Sequence, residues 1–349
     1  MAFSVLALGL AFHAPGPLCA TEKQDKPQII VPEPDIGIIS LKRRQEAQLL
    51  AASDYKVFHE FRFTDRRPES GITFRNLITD DNLKQLKPTH YDHGNGVAVA
   101  DVDGDGLQDI YFVTQVGSNE LWRNLGEGRF ENITEEAGVG LADRISVAGS
   151  FADFDNDGDA DLFATTVRMG NVLFENDGKG RFKDISEQAG VAYSGHSSGA
   201  FFFDYNNDGL LDLFVTNIGT YTSNRRGSKG YYIGFYDAFS GHLFPQRKET
   251  SLLYENLGDK RFREVSKEVG LVDDSWSGDA AFVDLDSDRY PEVYVLNMQG
   301  DDHYYENHAT EEDRRFADNT ERFFPRTSWG AMGVKFFDYN NDGGDRISL

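Results

Sequence analysis

The sequence contains almost no cysteine and comparatively few basic residues. Its 349 residues include one cysteine, Cys19, and 35 lysines and arginines against 58 aspartates and glutamates. A single cysteine excludes a disulfide framework within the chain. A net charge of −23 argues against nucleic acid and anionic lipid surfaces as partners. Beyond the first 20 residues, no run is apolar enough to predict a membrane span.

The first 61 residues differ in composition from the rest. Residues 1–20 contain an apolar run from Phe3 to Phe12, a proline and glycine break, and a small residue at Ala20. This pattern resembles an export signal, although the usual basic start is missing. Residues 21–61 combine a linker bearing prolines with a short predicted helix from Leu41 to His59. We therefore expect a secreted, periplasmic or extracellular protein.

An acidic motif of nine residues is repeated along the chain. It reads DVDGDGLQD from Asp101, DFDNDGDAD from Asp153 and DYNNDGLLD from Asp204. Side-chain oxygens at its first, third, fifth and ninth positions, with the carbonyl of the seventh, can surround one hard cation. Calcium is predicted because it accepts six to eight oxygens in irregular geometry. The predicted ligands are Asp101, Asp103, Asp105, Leu107 and Asp109 in loop one, Asp153, Asp155, Asp157, Asp159 and Asp161 in loop two, and Asp204, Asn206, Asp208, Leu210 and Asp212 in loop three.

An EF-hand shares the first half of this pattern but requires a glutamate at position twelve and helices on both sides. Position twelve is Phe112, Ala164 or Val215, and the flanking residues alternate as strands do. The glycine at position six allows the backbone to turn through positive φ, so that the later ligands can face the ion. The motif is therefore predicted to be a calcium loop between strands.

Two further copies are imperfect. The fourth, DLDSDRYPE, has Arg289 in place of the glycine and is predicted to bind calcium more weakly or not at all. Its candidate ligands are Asp284, Asp286, Asp288 and Glu292. The fifth copy starts at Asp338 and has Arg346 where the last acid belongs, so we do not count it as a site.

The loops mark a longer repeat of about 51 residues. In the first copy, strands are predicted over 97–100, 110–114, 120–123 and 129–134. The third copy carries about 29 extra residues, near 219–249, between its second and third strands. Four-stranded units at this period predict a β-propeller over residues 62–349, with about four and a half blades present. The segment from Arg62 is expected to supply an outer strand that completes the last blade.

The stretches GVAVADVDGDGLQDIYF, SFADFDNDGDADLF and GAFFFDYNNDGLLDLF, with LWRN and LFEN turns between them, resemble FG-GAP and VCBS repeats. The resemblance is narrower to the group that includes cartilage acidic protein and ASPIC/UnbV proteins. It implies a propeller similar to the integrin α-subunit head, usually of seven blades, so that this chain would be a fragment of the ring. It also implies calcium in the loops, an extracellular binding or adhesion role, and no enzymatic activity.

A second set of residues suggests a ligand site. Histidine or tryptophan stands eight or nine residues before the first acid of four loops, on the propeller face opposite the calcium loops, where the insertion also emerges. These rings either plug the central channel or line a ligand-binding mouth. The predicted mouth residues are His93, His196, Trp276, Trp329, Tyr232 and Tyr236.

Two classes of function remain open from the sequence. The first is a calcium-stabilised module that binds an extracellular protein or carbohydrate. The second is a carbohydrate-active hydrolase or lyase that uses the face opposite the loops. Residues 195–199 read GHSSG, but this hydrolase motif must follow a strand and open a helix. Because it precedes a predicted strand here, no catalytic residue is predicted.

Overall fold

The computed structural model describes residues 38–51, 63–79, 96–308, 316–327, 330–331 and 333–336. The chain divides into two units, residues 1–64 and 65–349. In the first unit, helix α1 spans Ile38–Ala51 and so begins earlier than predicted, while residues 52–59 of the predicted helix lie outside the described residues. Its Leu49 and Leu50 are exposed rather than packed. No helix within the described ranges is long and apolar enough to cross a membrane.

The second unit begins with a helical turn, α2 (Arg67–Ser70), and two four-stranded antiparallel sheets follow. Blade 1 consists of β1 (Val97–Ala100), β2 (Asp109–Phe112), β3 (Glu120–Asn124) and β4 (Phe130–Asn132), followed by the helical turn α3 (Thr134–Ala137). Blade 2 consists of β5 (Ser146–Ala152), β6 (Asp161–Thr166), β7 (Val172–Asn176) and β8 (Phe182–Asp184), followed by α4 (Ser186–Ala189).

Two more sheets repeat this order. Blade 3 begins with β9 (Ser197–Phe203) and β10 (Asp212–Asn217), is interrupted by the hairpin β11 (Thr222–Arg226) and β12 (Tyr232–Gly234), and ends with β13 (Leu252–Asn256), β14 (Phe262–Glu264) and α5 (Ser266–Val269). Blade 4 consists of β15 (Trp276–Val283), β16 (Glu292–Gln299), β17 (His303–Asn307), β18 (Phe316–Asp318) and α6 (Thr320–Phe323). The prediction of an all-β chain of four-stranded, propeller-type blades is confirmed.

The four strands of a blade differ in burial. Every residue of β6 and β10 is buried, because each of these second strands lies between two neighbours and between two blades. The outer strands β4 and β8 have three residues each and are mostly exposed. The short predicted strand over 129–134 is thus only half confirmed, since Thr134 begins a helical turn.

Adjacent blades pack through their first strands, in the order β1 with β5, β5 with β9 and β9 with β15. Each pair encloses one apolar core, with Tyr111 and Leu162 between blades 1 and 2, and Phe163 and Leu213 between blades 2 and 3. The approach is close, since a Cβ on Gly149 would come within 3.0 Å of the Tyr111 ring. Small residues in the first strands are therefore a packing requirement.

The helical turns after the outer strands were not predicted. Gly138 and Gly190 end α3 and α4 with φ of 78° and 80°, where glycine is favoured. Gly71 ends α2 in the same way, and a Cβ there would lie 3.1 Å from the Phe130 carbonyl oxygen of blade 1. Segment 67–71 thus lies against blade 1 as the turn of a preceding blade would. Residues 63–66 form no strand, so the outer strand expected near Phe63 is absent from the described part.

The insertion lies between β10 and β13. It contains the β11 and β12 hairpin and two short 3₁₀ helices, Ala238–Leu243 and Pro245–Arg247. Turns between first and second strands lie at one end of an antiparallel sheet, and turns between second and third strands lie at the other. The insertion therefore emerges at the end of blade 3 opposite its acidic loop.

Candidate functional site

The acidic motif forms the turn between the first and second strands of each blade. The sixth residue is left-handed, with φ of 86° at Gly106 and 97° at Gly158. Its backbone N–H donates to the first acid, over 2.8 Å from Gly106 to Asp101 and 3.1 Å from Gly158 to Asp153. The turn thereby points the first carboxylate into the loop.

The fifth acid organises the second half of each loop. One of its oxygens accepts the N–H of the seventh residue, over 2.8 Å from Leu107 to Asp105 and 2.9 Å from Leu210 to Asp208. The same bond reaches Asp157 from Asp159 over 3.2 Å. These contacts fix the backbone of the seventh residue, which is the predicted carbonyl ligand.

Carboxylate oxygens of the first, third and ninth residues lie within 4.8 Å of one another in three loops. The three groups are Asp101, Asp103 and Asp109; Asp153, Asp155 and Asp161; and Asp284, Asp286 and Glu292. Loop three has the amide Asn206 at its third position, and its Oδ1 accepts the Asp208 N–H over 3.0 Å. The acidic clusters can therefore hold a metal ion, as the spacing predicted.

Unsatisfied oxygens test whether a cation fits. Asp161 is 1% exposed and Glu292 is fully buried. Among the described residues, Asp161 Oδ2, Glu292 Oε1 and Asp103 Oδ1 are buried without a hydrogen-bond partner. A buried carboxylate oxygen without a donor is costly. A hard divalent cation would satisfy these oxygens, so the donor set fits calcium.

The ninth acid of the loop has a strongly raised pKa in loops two, three and four. Burial raises the pKa of Asp161 to about 8, and the charges of Asp155 and Asp159 act in the same direction. Burial likewise raises the pKa of Asp212 to about 8 and that of Glu292 to about 7. Without a cation, these loops therefore retain protons near neutral pH.

Loop four keeps the geometry of the others despite Arg289. This residue adopts φ of 82°, and its N–H donates to Asp284 over 3.0 Å, as the glycine does elsewhere. Strain of about 1 kcal/mol is expected for a non-glycine residue in this region. Arg289 thus leaves the backbone conformation of the loop unchanged. The weaker calcium binding predicted for loop four stays a prediction about affinity.

Basic side chains lie beside the third acid of two loops. In blade 1, Arg123 Nε lies 3.0 Å from Asp103 Oδ2. In blade 2, Glu175 occupies the place of Arg123, and the cation comes from blade 3, where Lys260 Nζ lies 2.7 Å from Asp155 Oδ2 and also contacts Glu175. Loop two is therefore linked to the next blade by an ion pair.

An asparagine at the end of the third strand connects neighbouring loops in blades 2, 3 and 4. Its backbone N–H donates to the ninth acid of its own loop, as from Asn176 to Asp161 over 2.8 Å. Its side-chain amide donates to the second residue of the preceding loop, from Asn176 to the Val102 carbonyl over 2.9 Å. Asn256 and Asn307 make the same side-chain bond to Phe154 and Tyr205.

On the opposite face, the structure joins one predicted mouth residue to the insertion. His196 is 2% exposed, and its Nδ1 lies 2.7 Å from Glu249 Oε1 and its Nε2 2.8 Å from Thr222 Oγ1. Burial alone would raise the pKa of Glu249, but its bonds with His196 and Thr220 lower it. These residues line a cavity of about 330 Å³ that also includes Arg168.

One of the predicted mouth residues, Trp276, is buried rather than open to solvent. Trp276 is 2% exposed and packs in an apolar cluster with Ile145 and Tyr221. A Cβ on Gly241 of the insertion would overlap its ring, so Trp276 supports the insertion from beneath. The hypothesis that these rings fill the interior describes Trp276 better than the ligand hypothesis does.

The two tyrosines of the insertion have different surroundings. The ring of Tyr232 lies between two guanidinium groups, 3.9 Å from Arg168 and 4.5 Å from Arg226. Tyr236 is 72% exposed. The remaining predicted mouth residues, His93 and Trp329, and the fifth acidic loop lie outside the described residues.

Several residues with structural roles at the site were not predicted. Glu249 was not singled out, because no motif relates it to His196, 53 residues earlier. Lys260 was not singled out because a lysine in a turn gives no indication of its partner in another blade. The asparagines were visible in the LWRN and LFEN repeats, and their recurrence was the available signal.

The fold and loops define a class of protein, a chain of four-stranded blades whose inter-strand loops carry acidic clusters that could hold a metal ion. Residues 101–164, 153–215 and 284–345 match the family model described as FG-GAP-like repeat, and together they cover half of the sequence. The chain belongs to the FG-GAP-like repeat family.

Curated relatives align with part of this chain. Cartilage acidic protein 1 of Xenopus tropicalis is 29% identical over 148 residues, covering 41% of this chain and 23% of that protein. Cartilage acidic protein 1 of Homo sapiens is 23% identical over 288 residues, covering 81% of this chain. This chain spans 40% of the human protein's length. The biofilm matrix protein Bap1 of V. cholerae aligns with 64% of this chain at 19% identity and a TM-score of 0.30.

Proposed function

We propose that this protein is a secreted calcium-binding β-propeller that serves as an interaction or adhesion module for an extracellular protein or carbohydrate, with calcium in a structural role. One observation carries the calcium assignment, namely the buried carboxylate oxygens of Asp161 and Glu292 that have no donor among the described residues. Burial of a carboxylate oxygen without a partner costs free energy, and a bound divalent cation would remove that cost.

Calcium in this proposal stabilises rather than catalyses. The loops close the hairpin between the first and second strands, as between Ala100 and Asp109 in blade 1. Loops one to three are each also bonded to the next blade through an asparagine, as Val102 is to Asn176. Calcium would supply positive charge to the converging carboxylates, and the chain's own hydrogen bonds would transmit the resulting order to the neighbouring blade.

Secretion is supported by the apolar run within residues 1–20. The proposed contact surface is the insertion, where Tyr236 is 72% exposed. Aromatic side chains at exposed sites are typical of contacts with proteins and sugars.

Calcium titration and thermal unfolding test the structural role together. We expect calorimetry on the chelated protein to detect about three sites in the range of ~10⁻⁴–10⁻³ M. Chelator should lower the melting temperature, because a site at 100 times its dissociation constant adds ~2.7 kcal/mol to the folded state. No binding heat and no change in melting temperature would refute the assignment.

The enzymatic alternative depends on the cavity beside His196. Its histidine and carboxylate contact each other over 2.7 Å, an arrangement that can move a proton. However, Glu249 is already bonded to the His196 N–H and to Thr220, which favours a structural pair. Turnover of a polysaccharide that is lost in His196→Ala but kept in Tyr236→Ala would support the enzyme instead.

A further inference from the structure

Lys260 stands at a position where two other blades have glycine. The turns read NLGEGRF in blade 1, NDGKGRF in blade 2 and NLGDKRF in blade 3, so that Lys260 aligns with Gly128 and Gly180. The two glycines have φ of 75° and 74°, and Lys260 has φ of 60°. A lysine in this conformation is disfavoured by about 1 kcal/mol relative to glycine.

In blades 2 and 3 this position faces the loop of the preceding blade. A Cβ built on Gly180 would lie 3.8 Å from Cβ of Asp103, the third acid of loop one. Lys260 takes the same place over loop two, and its ammonium lies 2.7 Å from Asp155, again the third acid. The contact therefore follows from the blade geometry and is not an incidental surface ion pair.

The residue before the asparagine of the third strand also differs between blades 1 and 2. Blade 1 supplies its own cation, Arg123, against Asp103, and has Gly180 opposite. Blade 2 has Glu175 in place of the arginine, and Lys260 lies between Asp155 and Glu175. The Asp155 side chain is 9% exposed and that of Lys260 is 32% exposed, so the carboxylate end of this pair is the part shielded from solvent and salt.

We propose that Lys260 sets the calcium affinity of loop two. Its ammonium, which comes from blade 3, neutralises Asp155 in the calcium-free loop and weakens calcium binding there. The two cations share one carboxylate, so their mutual repulsion opposes joint occupancy. By Coulomb's law in a water-like dielectric, a unit positive charge about 4–6 Å from a divalent ion lowers the affinity for that ion by about ten- to thirtyfold. Loop two has five carboxylates, yet it should bind calcium no more tightly than loop one.

An independent observation indicates that loop two receives a cation. The Oδ2 atom of Asp161 is buried and has no hydrogen-bond partner among the described residues. Lys260 is not bonded to that oxygen. Calcium at Asp161 Oδ2 and Lys260 at Asp155 Oδ2 would thus contact different oxygens of one cluster. Removal of the lysine should therefore strengthen calcium binding rather than abolish it. Occupancy of loop two is in this way coupled to the packing of blade 3 on blade 2.

Calorimetric calcium titration of full-length Lys260→Met, Lys260→Arg and Lys179→Met proteins tests the proposal. Lys179 lies in the equivalent turn of blade 2, and the structure shows no acidic partner for it within the described residues, so it is the charge-matched control. We expect about a ten- to thirtyfold higher affinity at one site in Lys260→Met only. The gain should disappear when Asp153→Ala removes the first ligand of loop two.

A second measurement uses the calcium-free state. In chelator, Lys260→Met should melt at a lower temperature than Lys179→Met, because Asp155 and Glu175 lose their shared cation. Equal calcium affinities in Lys260→Met and Lys179→Met would overturn this proposal while leaving calcium binding intact. Absence of calcium binding in every variant would instead overturn the proposed function and this inference with it.

Discussion

Removal of the asparagine that links two loops should weaken the contact between blades 2 and 3. Asn256 is buried and donates from Nδ2 to the Phe154 carbonyl over 2.8 Å and to the Leu211 carbonyl over 3.0 Å. Its Oδ1 accepts the Gly258 N–H over 3.0 Å. Asn256→Ala removes all three bonds but keeps the backbone N–H that holds Asp212.

The expected cost follows from the groups left behind. A buried carbonyl that loses its donor costs ~1–3 kcal/mol, and a turn bond of this kind contributes ~0.5–1.5 kcal/mol. Two carbonyls and one N–H therefore predict a loss of about 2.5–7.5 kcal/mol of unfolding free energy. Against a typical total of ~5–15 kcal/mol this is a large effect.

The matched control is Asn124→Ala in blade 1. Asn124 makes the same turn bond, from Gly126 over 2.9 Å, and donates to the Gln108 carbonyl of its own blade. We expect it to lose about 1–2 kcal/mol, since no described inter-blade bond is broken. Urea unfolding at saturating calcium measures both variants. If the two losses were equal, the bond to the preceding loop would contribute nothing, and the reasoning would be refuted.

Three further predictions concern the other parts of the site. Asp161→Asn should abolish the calcium-dependent stabilisation of loop two. In chelator at pH 7 it should change the unfolding free energy by less than ~1 kcal/mol, because Asp161, with a pKa of about 8, is already mostly protonated in the ion-free loop. A large loss of unfolding free energy in chelator would contradict this. Glu249 has a lowered pKa, so its contribution to stability is complete above its ordinary value of 4.5 and is lost as the pH falls below it. Melting curves between pH 3 and 6 (roughly the range that spans this titration) should therefore be less pH-dependent in Glu249→Gln than in the unchanged protein, and equal slopes would show that the buried pair does not matter. Trp276→Ala should cost about 3–5 kcal/mol as a core truncation, whereas Tyr236→Ala should change stability by no more than ~0.5 kcal/mol; urea unfolding of both would reveal whether Trp276 is a supporting residue, and a neutral Trp276→Ala would show that it is not.

The sequence by itself determined the blade and its loop. Alternating strands, a nine-residue acidic motif and a period of about 51 residues encode local structure, because hairpins and turns depend on residues close together in the chain. The first strand, Val97–Ala100, was predicted to the residue. The convergence of Asp101, Asp103 and Asp109 follows from the same short-range geometry.

The short helical turns lay within reach of the sequence but were not predicted. A polar run followed by glycine, as at Gly138, is a signature of a helix end. Its regular recurrence favoured a strand interpretation, and four residues are too few for an amphipathic pattern to show. Here the local signal was present but ambiguous.

Only the tertiary structure decided which blade serves which loop. Lys260 reaches Asp155, Asn256 reaches Phe154 and Glu249 reaches His196 across 53 or more residues. Such partners depend on the angle and distance between blades, which no periodicity within one blade contains. Burial is decided in the same way, since Trp276 and Tyr236 are both aromatic residues of one predicted face, and only the path of the insertion covers the first and exposes the second.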